Sequence, residues 1–329
     1  MGIALIKKYN NLIKGGKKMN QKSKGYLFVV VAGVCWATIG LFANSLLGHG
    51  LTPEQVAFLR LFLGFLVLFI YSCFKMPSAL KISKKGLAYC ITVGIVSQAG
   101  FNMCYFNSID SIGVSASAVL LYTSPLFLTF LSIVIYKERL NKIKIISLAV
   151  CFMGAILAVT GGSLNLGQLN MNGILLGIMS AITYACMSII SKGALKECEG
   201  ITLLIYGFLI GSILMIPLAK PFELISYAND MGVLTIMLGL GIIPAAAAYI
   251  FYLNGISTGI DLSIAGILAS TELIVSVIIG WTILGESFSV GKLIGVIFMV
   301  LSALIAIKKP KSKKIKHSVN ENELEPVRV

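Results

Sequence analysis

The amino-acid sequence predicts an all-α membrane protein, with ten transmembrane helices arranged as two inverted five-helix repeats. Three observations lead to this prediction: long apolar segments, lysines concentrated on alternate connections, and a self-match at an offset of 148 residues. Only 12% of the 329 residues are charged, and 57% are hydrophobic. Soluble domains carry roughly 25% charged residues, so this composition indicates a chain that crosses a bilayer many times.

Ten apolar segments can be distinguished along the chain. Each is long enough to cross a hydrocarbon core of ~30 Å at a helical rise of ~1.5 Å per residue. The connections between them are short, which leaves no room for a soluble catalytic domain. The predicted segments are 26–47, 53–74, 86–108, 113–136, 143–160, 171–191, 201–219, 231–256, 262–284 and 290–307.

The positions of the basic residues predict the orientation. Of the 27 Lys and Arg residues, 24 lie in the two tails and in the connections after helices 2, 4 and 6. Two, Lys220 and Lys292, lie on the other side, and Arg60 lies within a span. By the positive-inside rule, the tails 1–25 and 309–329 are cytoplasmic, in a multi-pass protein of the cell membrane. Met19 is a candidate start, because the codons for residues 14–16 would be purine-rich like a bacterial ribosome-binding site.

The internal repeat relates residues 26–160 to residues 171–308. Trp36 matches Tyr184 and Thr123 matches Thr271, both at an offset of 148, which becomes 147 around Asn107 and Asn254. A constant offset over most of the chain is much stronger evidence than single identities. Because each repeat holds five helices, the second must enter the membrane from the opposite side. Such inverted repeats are typical of carriers with a site near the bilayer midplane.

Several motifs resemble those of the drug/metabolite transporter superfamily, specifically its ten-helix EamA-type members. They are Trp36 in helix 1, the stretches 57–60 (AFLR) and 120–126 (LLYTSPL), and the loop signatures 136–140 (YKERL) and 284–288 (LGESF). The resemblance covers residues 24–308 and implies a transporter of a small metabolite. The second repeat has Glu272-Leu273 where that family often has Glu-Pro, and the first has Ser124-Pro125.

Two charged side chains are predicted to lie well within spans, Arg60 and Glu272. A charge near the bilayer centre costs roughly 2.5–3.5 kcal/mol on insertion scales, so it should face protein, water or substrate. We interpret Glu272 either as a pathway residue or as a structural acid bonded to Ser or Tyr. Arg60 is interpreted as structural, either reaching the membrane surface or binding backbone carbonyls.

Polar and aromatic residues at mid-span predict a central cavity between helices 1, 3, 4, 6, 8 and 9. Gln98, Asn102 and Tyr105 form a stripe on helix 3, and the repeat partners of the last two are Tyr249 and Tyr252. Interhelical hydrogen bonding is the alternative reading of these residue types. The predicted substrate-binding residues are Trp36, Gln98, Asn102, Tyr122, Tyr184, Tyr249, Tyr252 and Glu272.

A second group is predicted to be structural or to act in gating. Pro125 lies within helix 4, where we expect it to kink the helix. The repeat partners Glu138 and Glu286 lie at helix ends on opposite faces of the membrane, where they would cap helices or fix loops. Arg60 completes this group.

The function classes can be narrowed from what the sequence contains. It has no Walker loop, nucleophile elbow or HExxH motif, so we expect no enzyme. Its seven Cys and two His form no ligand pattern, so we expect no metal or cofactor. Nearly all its lysines lie in the tails and a few short loops, so we expect no nucleic-acid partner despite the formal charge of +14. The leading prediction is a secondary carrier that exports an amino acid or similar metabolite and works as a monomer or homodimer. Proton coupling through Glu272 stays open. A multidrug or cationic-compound exporter is the alternative, and a channel or lipid enzyme is less favoured.

Overall fold

The computed structural model describes residues 21–137, 142–162, 170–259, 265 and 268–307, and this part of the chain is built from helices. Seven helices are long and apolar enough to cross a membrane, and three further apolar helices, the fifth, ninth and tenth below, are shorter. In chain order they are α1 (Gln21–Gly48), α2 (Pro53–Lys75), α3 (Lys84–Ile112), α4 (Val114–Ile135), α5 (Ile145–Thr160), α6 (Met171–Ala194), α7 (Gly200–Ala219), α8 (Met231–Ser257), α9 (Thr271–Thr282) and α10 (Val290–Ile305). The predicted polytopic, all-helical protein is confirmed.

Helix starts follow from local capping chemistry. At the start of α2, the Thr52 side chain accepts from the backbone N–H of Gln55, whose own side chain accepts from the backbone of Thr52, and Pro53 occupies the first helical position. This reciprocal arrangement satisfies N–H groups that have no partner inside the helix. Asn170 and Asp230 cap α6 and α8 through single side-chain oxygens.

The main contacts between helices correspond when the two halves are exchanged. In these contacts α2 packs on α7, α4 on α9 and α5 on α10, each pairing a helix with its own repeat partner. Three further sets correspond in the same way: α3 with α6 and α1 with α8; α3 with α7 and α2 with α8; α4 with α6 and α1 with α9.

Irregular helical segments also occur at corresponding positions in the two halves. A π-helical segment, Val93–Gly100, lies inside α3, and a second, Gly241–Ala247, lies inside α8, 148 residues later. Helix α4 is interrupted by a turn at Tyr122 and Thr123, and α9 begins after a turn at Ser270. At both interruptions a threonine hydroxyl donates to the carbonyl three residues earlier: Thr123 to Leu120 at 2.6 Å and Thr271 to Leu268 at 2.8 Å.

Large apolar side chains divide between the interior and the outer surface. Phe106, Phe208 and Leu240 are completely buried in the main core. Phe130 and Val134 on α4 are more than half exposed, as are Phe152 and Met153 on α5. Exposed apolar side chains along a helix match a hydrocarbon environment, where they contact lipid instead of water.

Candidate functional site

The centre of the candidate site lies where the interruptions of α4 and α9 meet. The hydroxyl of Tyr122 donates a 2.9 Å hydrogen bond to Glu272 Oε2 and lies 3.4 Å from the carbonyl oxygen of Ala269. Glu272 is in the first turn of α9, where the helix dipole favours a carboxylate. Both side chains are only partly buried. An acid from one half and a phenol from the other are thus brought together where both helices are irregular.

An aromatic cluster joins α1 to α8 beside this acid. The Trp36 ring centroid lies 5.2 Å from that of Tyr249, edge to face, and 5.4 Å from that of Tyr252. Tyr249 also meets Phe208 of α7 at 5.8 Å. Trp36, Tyr249 and Tyr252 are half-buried. Three of the predicted residues therefore form one contact cluster, with ring surface left uncovered.

Tyr184 on α6 borders open space beside this cluster. Its side chain is 42% exposed, yet its ring lies 5.8 Å from that of Phe101 on α3. Its hydroxyl is within electrostatic range of Glu272, Tyr249 and Tyr252. A ring that is exposed while surrounded by groups from α3, α8 and α9 borders the interior of the bundle rather than lipid.

Arg60 is tied to the polar stripe of α3. Its Nη1 donates a short hydrogen bond to Asn102 Oδ1, and Asn102 Nδ2 donates to the carbonyl of Gln98 at 2.7 Å. Gln98 Nε2 in turn lies 4.0 Å from the sulfur of Met187 on α6. Arg60 is 2% exposed, so the interpretation that it reaches the membrane surface is wrong: its guanidinium finds a side-chain acceptor inside the bundle. Gln98 and Asn102 are buried with it.

Sequence reasoning missed Phe101 as a member of this region. Its ring lies 5.8 Å from Arg60 Cζ, in cation–π range, and stacks on Tyr105 at 5.4 Å. From the sequence of an apolar span alone, a phenylalanine that lies inside the bundle cannot be distinguished from one that faces lipid. Its position directly before Asn102 was the one available signal.

Glu286 connects the two halves at the opposite end of α9. Its carboxylate accepts from the backbone N–H of Val114 and, at 3.1 and 3.2 Å, from that of Ser115, both in the first turn of α4. Gly113 precedes this turn with a φ of 84°, and an added Cβ at Gly280 would collide with Ser115 Oγ and the Glu286 carboxylate. Glu286 therefore fixes a loop of one half to a helix of the other.

A small cavity of about 170 Å³ lies beside this contact. Ser115, Trp281, Glu286 and Lys292 are among its lining residues, and the Lys292 ammonium donates to the backbone carbonyl and hydroxyl of Ser287 at 2.8 and 2.7 Å. The cavity is apart from the Tyr122–Glu272 pair, toward the far end of α9.

The remaining predicted residues have different outcomes. Pro125 occupies the first turn of Ser124–Tyr136, directly after the interruption of α4, where a proline needs no helical hydrogen bond. Glu138 lies outside the described residues. In the part of the chain that is described, no group of three or more metal-ligating side chains occurs.

Comparisons with known proteins identify related transporters and a related fold. The chain is 27% identical over 282 residues to an uncharacterized transporter of Archaeoglobus fulgidus, covering 86% of this chain and 96% of that protein. It is 22% identical over 307 residues to the S-adenosylmethionine uptake transporter of Rickettsia prowazekii, covering 91% and 99%. A protein of known crystal structure shares the fold, with a TM-score of 0.59 and 18% identity over 86% of this chain and 96% of that one.

The family assignment depends on both halves. The profile of the EamA-like transporter family matches residues 23–160 and, separately, residues 171–308. These ranges contain both helix interruptions, the aromatic cluster and Glu286. A small-molecule substrate and a membrane environment follow from the matched transporters. The chain therefore belongs to the EamA-like transporter family.

Proposed function

We propose that the protein is a secondary carrier that moves a small organic metabolite across the cell membrane by alternating access. In this proposal ten helices cross the bilayer as two inverted repeats, 26–160 and 171–308, and both tails face the cytoplasm. The exchange-symmetric packing of the helices supports the inversion. The lysine asymmetry supports the orientation.

One observation carries the proposal: the hydrogen bond between Tyr122 and Glu272 at the paired interruptions of α4 and α9. Interrupted helices near the midplane are where carriers bind substrate, because backbone groups there lack helical partners. A contact that spans the two halves at this point must change when one half moves against the other. Substrate bound there is thus coupled to the movement.

The substrate in this proposal is an amino acid or a metabolite of similar size, and the direction is export. The relative from Rickettsia prowazekii is named as an uptake transporter for S-adenosylmethionine, which itself contains an amino-acid group. We use it as one probe for this chain. The direction of a secondary carrier follows the gradients of its substrate and coupling ion, so uptake by a relative is compatible with export here. Glu272 is the proposed site at which a proton would couple to transport.

The test is counterflow with purified protein in proteoliposomes. Vesicles loaded with an unlabelled amino-acid mixture or with S-adenosylmethionine are diluted into the same labelled compounds. A carrier accumulates label transiently above the external concentration, and loaded vesicles take up label faster than empty ones. Uptake that is unaffected by the internal load contradicts a carrier and favours a channel. Glu272→Gln vesicles with equal protein content are the control.

A multidrug or cationic-compound exporter is the second candidate. It is favoured by Glu272, whose carboxylate has no Lys or Arg nitrogen within 4.0 Å among the described residues. Expression in a drug-sensitive host should then raise tolerance to ethidium, and Glu272→Gln should remove that tolerance. If tolerance to ethidium is unchanged and amino-acid counterflow is observed, the results support the metabolite carrier.

A further inference from the structure

Arg60 and Glu272 in the interior of the bundle have no oppositely charged side chain within 4.0 Å among the described residues. Arg60 is 2% exposed and donates a hydrogen bond to the neutral amide of Asn102. Its guanidinium also lies beside the Tyr249 hydroxyl, and its Nε–H has no acceptor among the described residues. Glu272 accepts one hydrogen bond, from Tyr122. No guanidinium nitrogen of Arg60 lies within 4.0 Å of a carboxylate oxygen in the part of the chain described.

The two ions nevertheless border one region. Arg60 Cζ lies 5.8 Å from the Phe101 ring, which lies 5.8 Å from the ring of Tyr184. Arg60, from the first half, and Glu272, from the second, are both within electrostatic range of the hydroxyls of Tyr184 and Tyr249. Trp36 contacts Tyr249 in the same cluster. Arg60 on α2 and Glu272 on α9 therefore both border an aromatic cluster that is partly open.

An unpaired ion in an apolar interior is expensive, and proteins normally pair such ions or place them in water. A ligand that carries both opposite charges would offset the cost of both ions at once.

We propose that the substrate is a zwitterion whose carboxylate binds Arg60 and whose ammonium group binds Glu272, with the aromatic rings contacting the remainder. This inference rests on the proposed carrier function and specifies its substrate class. Arg60 suits a carboxylate because its planar guanidinium donates two parallel hydrogen bonds. In the conformation described, the amide oxygen of Asn102 occupies one of these donors. A carboxylate is the stronger acceptor and displaces it.

The test uses binding to a protein with one tryptophan. The chain has two, so Trp281→Phe leaves Trp36 as the reporter. The probes are leucine, methionine and phenylalanine, each with its amide, which keeps only the ammonium group, and its deaminated acid, which keeps only the carboxylate. At least one zwitterion should change Trp36 fluorescence and bind about tenfold or more tightly than its two analogues. Trp36→Phe, which retains Trp281, should lose the signal.

Two charge variants make the test specific. Arg60→Gln should bind the zwitterion no better than its amide while still preferring it to the deaminated acid. Glu272→Gln should bind the zwitterion no better than the deaminated acid while still preferring it to the amide. If either residue has only a structural role, its substitution should lower the affinities for the zwitterion and both analogues together, without changing which of them is preferred. Parallel losses in both variants overturn the proposal.

Asn102→Asp keeps the test decisive if Arg60→Gln fails to fold. This variant gives Arg60 a permanent carboxylate partner, which should stabilise the fold against heat while weakening zwitterion binding about tenfold or more. Unweakened binding in Asn102→Asp contradicts the role of Arg60. No response to any of the three zwitterions overturns the proposal as well. Positive counterflow in the same preparation then shows that the carrier function stands without the zwitterion site.

Discussion

Tyr122 and Glu272, 150 residues apart, are joined by a hydrogen bond of 2.9 Å between the two interrupted helices that face each other across the halves. Each residue lies within two positions of the interruption in its own helix. Because the bond crosses between the halves, its energy depends on their relative position. Removing the acid or the phenol should therefore affect movement and substrate binding together.

Glu272→Gln should reach the membrane at near-normal levels and lose at least about 90% of transport, which corresponds to roughly 1.4 kcal/mol or more of activation or binding free energy. Glutamine is similar in shape and can still accept a hydrogen bond from Tyr122, so the protein should fold normally. The negative charge, however, is lost. The measurement is counterflow normalised to protein amount across a pH series. A fully active variant with an unchanged pH profile would make Glu272 structural.

Trp36→Ala should weaken substrate binding more than Trp36→Phe. Alanine removes the edge-to-face contact with Tyr249 and leaves a cavity, whereas phenylalanine keeps a ring at that place. The check is the concentration dependence of counterflow for the two variants. Phe74, which is largely exposed near the end of α2, offers a matched aromatic control, and Phe74→Ala should leave transport unchanged. Equal effects of Trp36→Ala and Phe74→Ala would contradict a special role for the cluster.

Gly280→Ala should loosen the contact between the α9–α10 connection and α4. The new Cβ meets Ser115 Oγ and the Glu286 carboxylate, so one of them must move. We expect a cysteine introduced at Ser287, next to Glu286, to react faster with an impermeant thiol reagent in this variant. Gly48→Ala is the control, because no atom lies within 4 Å of its added Cβ. Glu286→Gln keeps one carbonyl acceptor and should lose much less transport than Glu272→Gln.

The orientation is tested by cysteines at exposed positions in a cysteine-free background. His49 lies between α1 and α2, and Lys81 and Lys196 lie in lysine-bearing connections. A cysteine at His49 should be labelled in intact cells by an impermeant reagent, and cysteines at Lys81 or Lys196 only after permeabilisation. Labelling of all three from one side would reject the proposed topology.

Helix positions and the family resemblance could be predicted because apolar length, charge placement and a constant offset are one-dimensional signals. Glu272 and Tyr122 were identified as candidates because an acid and a phenol stand out in an apolar span. Their hydrogen bond could not be predicted, since it depends on how α4 and α9 are rotated about their axes. The same limit applies to Arg60, whose acceptor on α3 is Asn102.

The π-helical segments could not be predicted either. The run 93–100 carries no residue that distinguishes α from π geometry, and in the structure this segment packs against α7. Glu286 was expected to fix a loop. Its carboxylate accepts hydrogen bonds from the backbone N–H groups of Val114 and Ser115, so α4 is the helix to which it is bound. That partner lies 172 residues away in the chain, beyond the reach of any local pattern.

The matched π segments, Val93–Gly100 and Gly241–Ala247, bear on the origin of the chain. A π segment is rare and occurs mostly as a single turn inside an α-helix, frequently at a functional site. Separate origins at corresponding places would require the same rare event twice. The simpler history is one π segment in an ancestral repeat unit, followed by gene duplication.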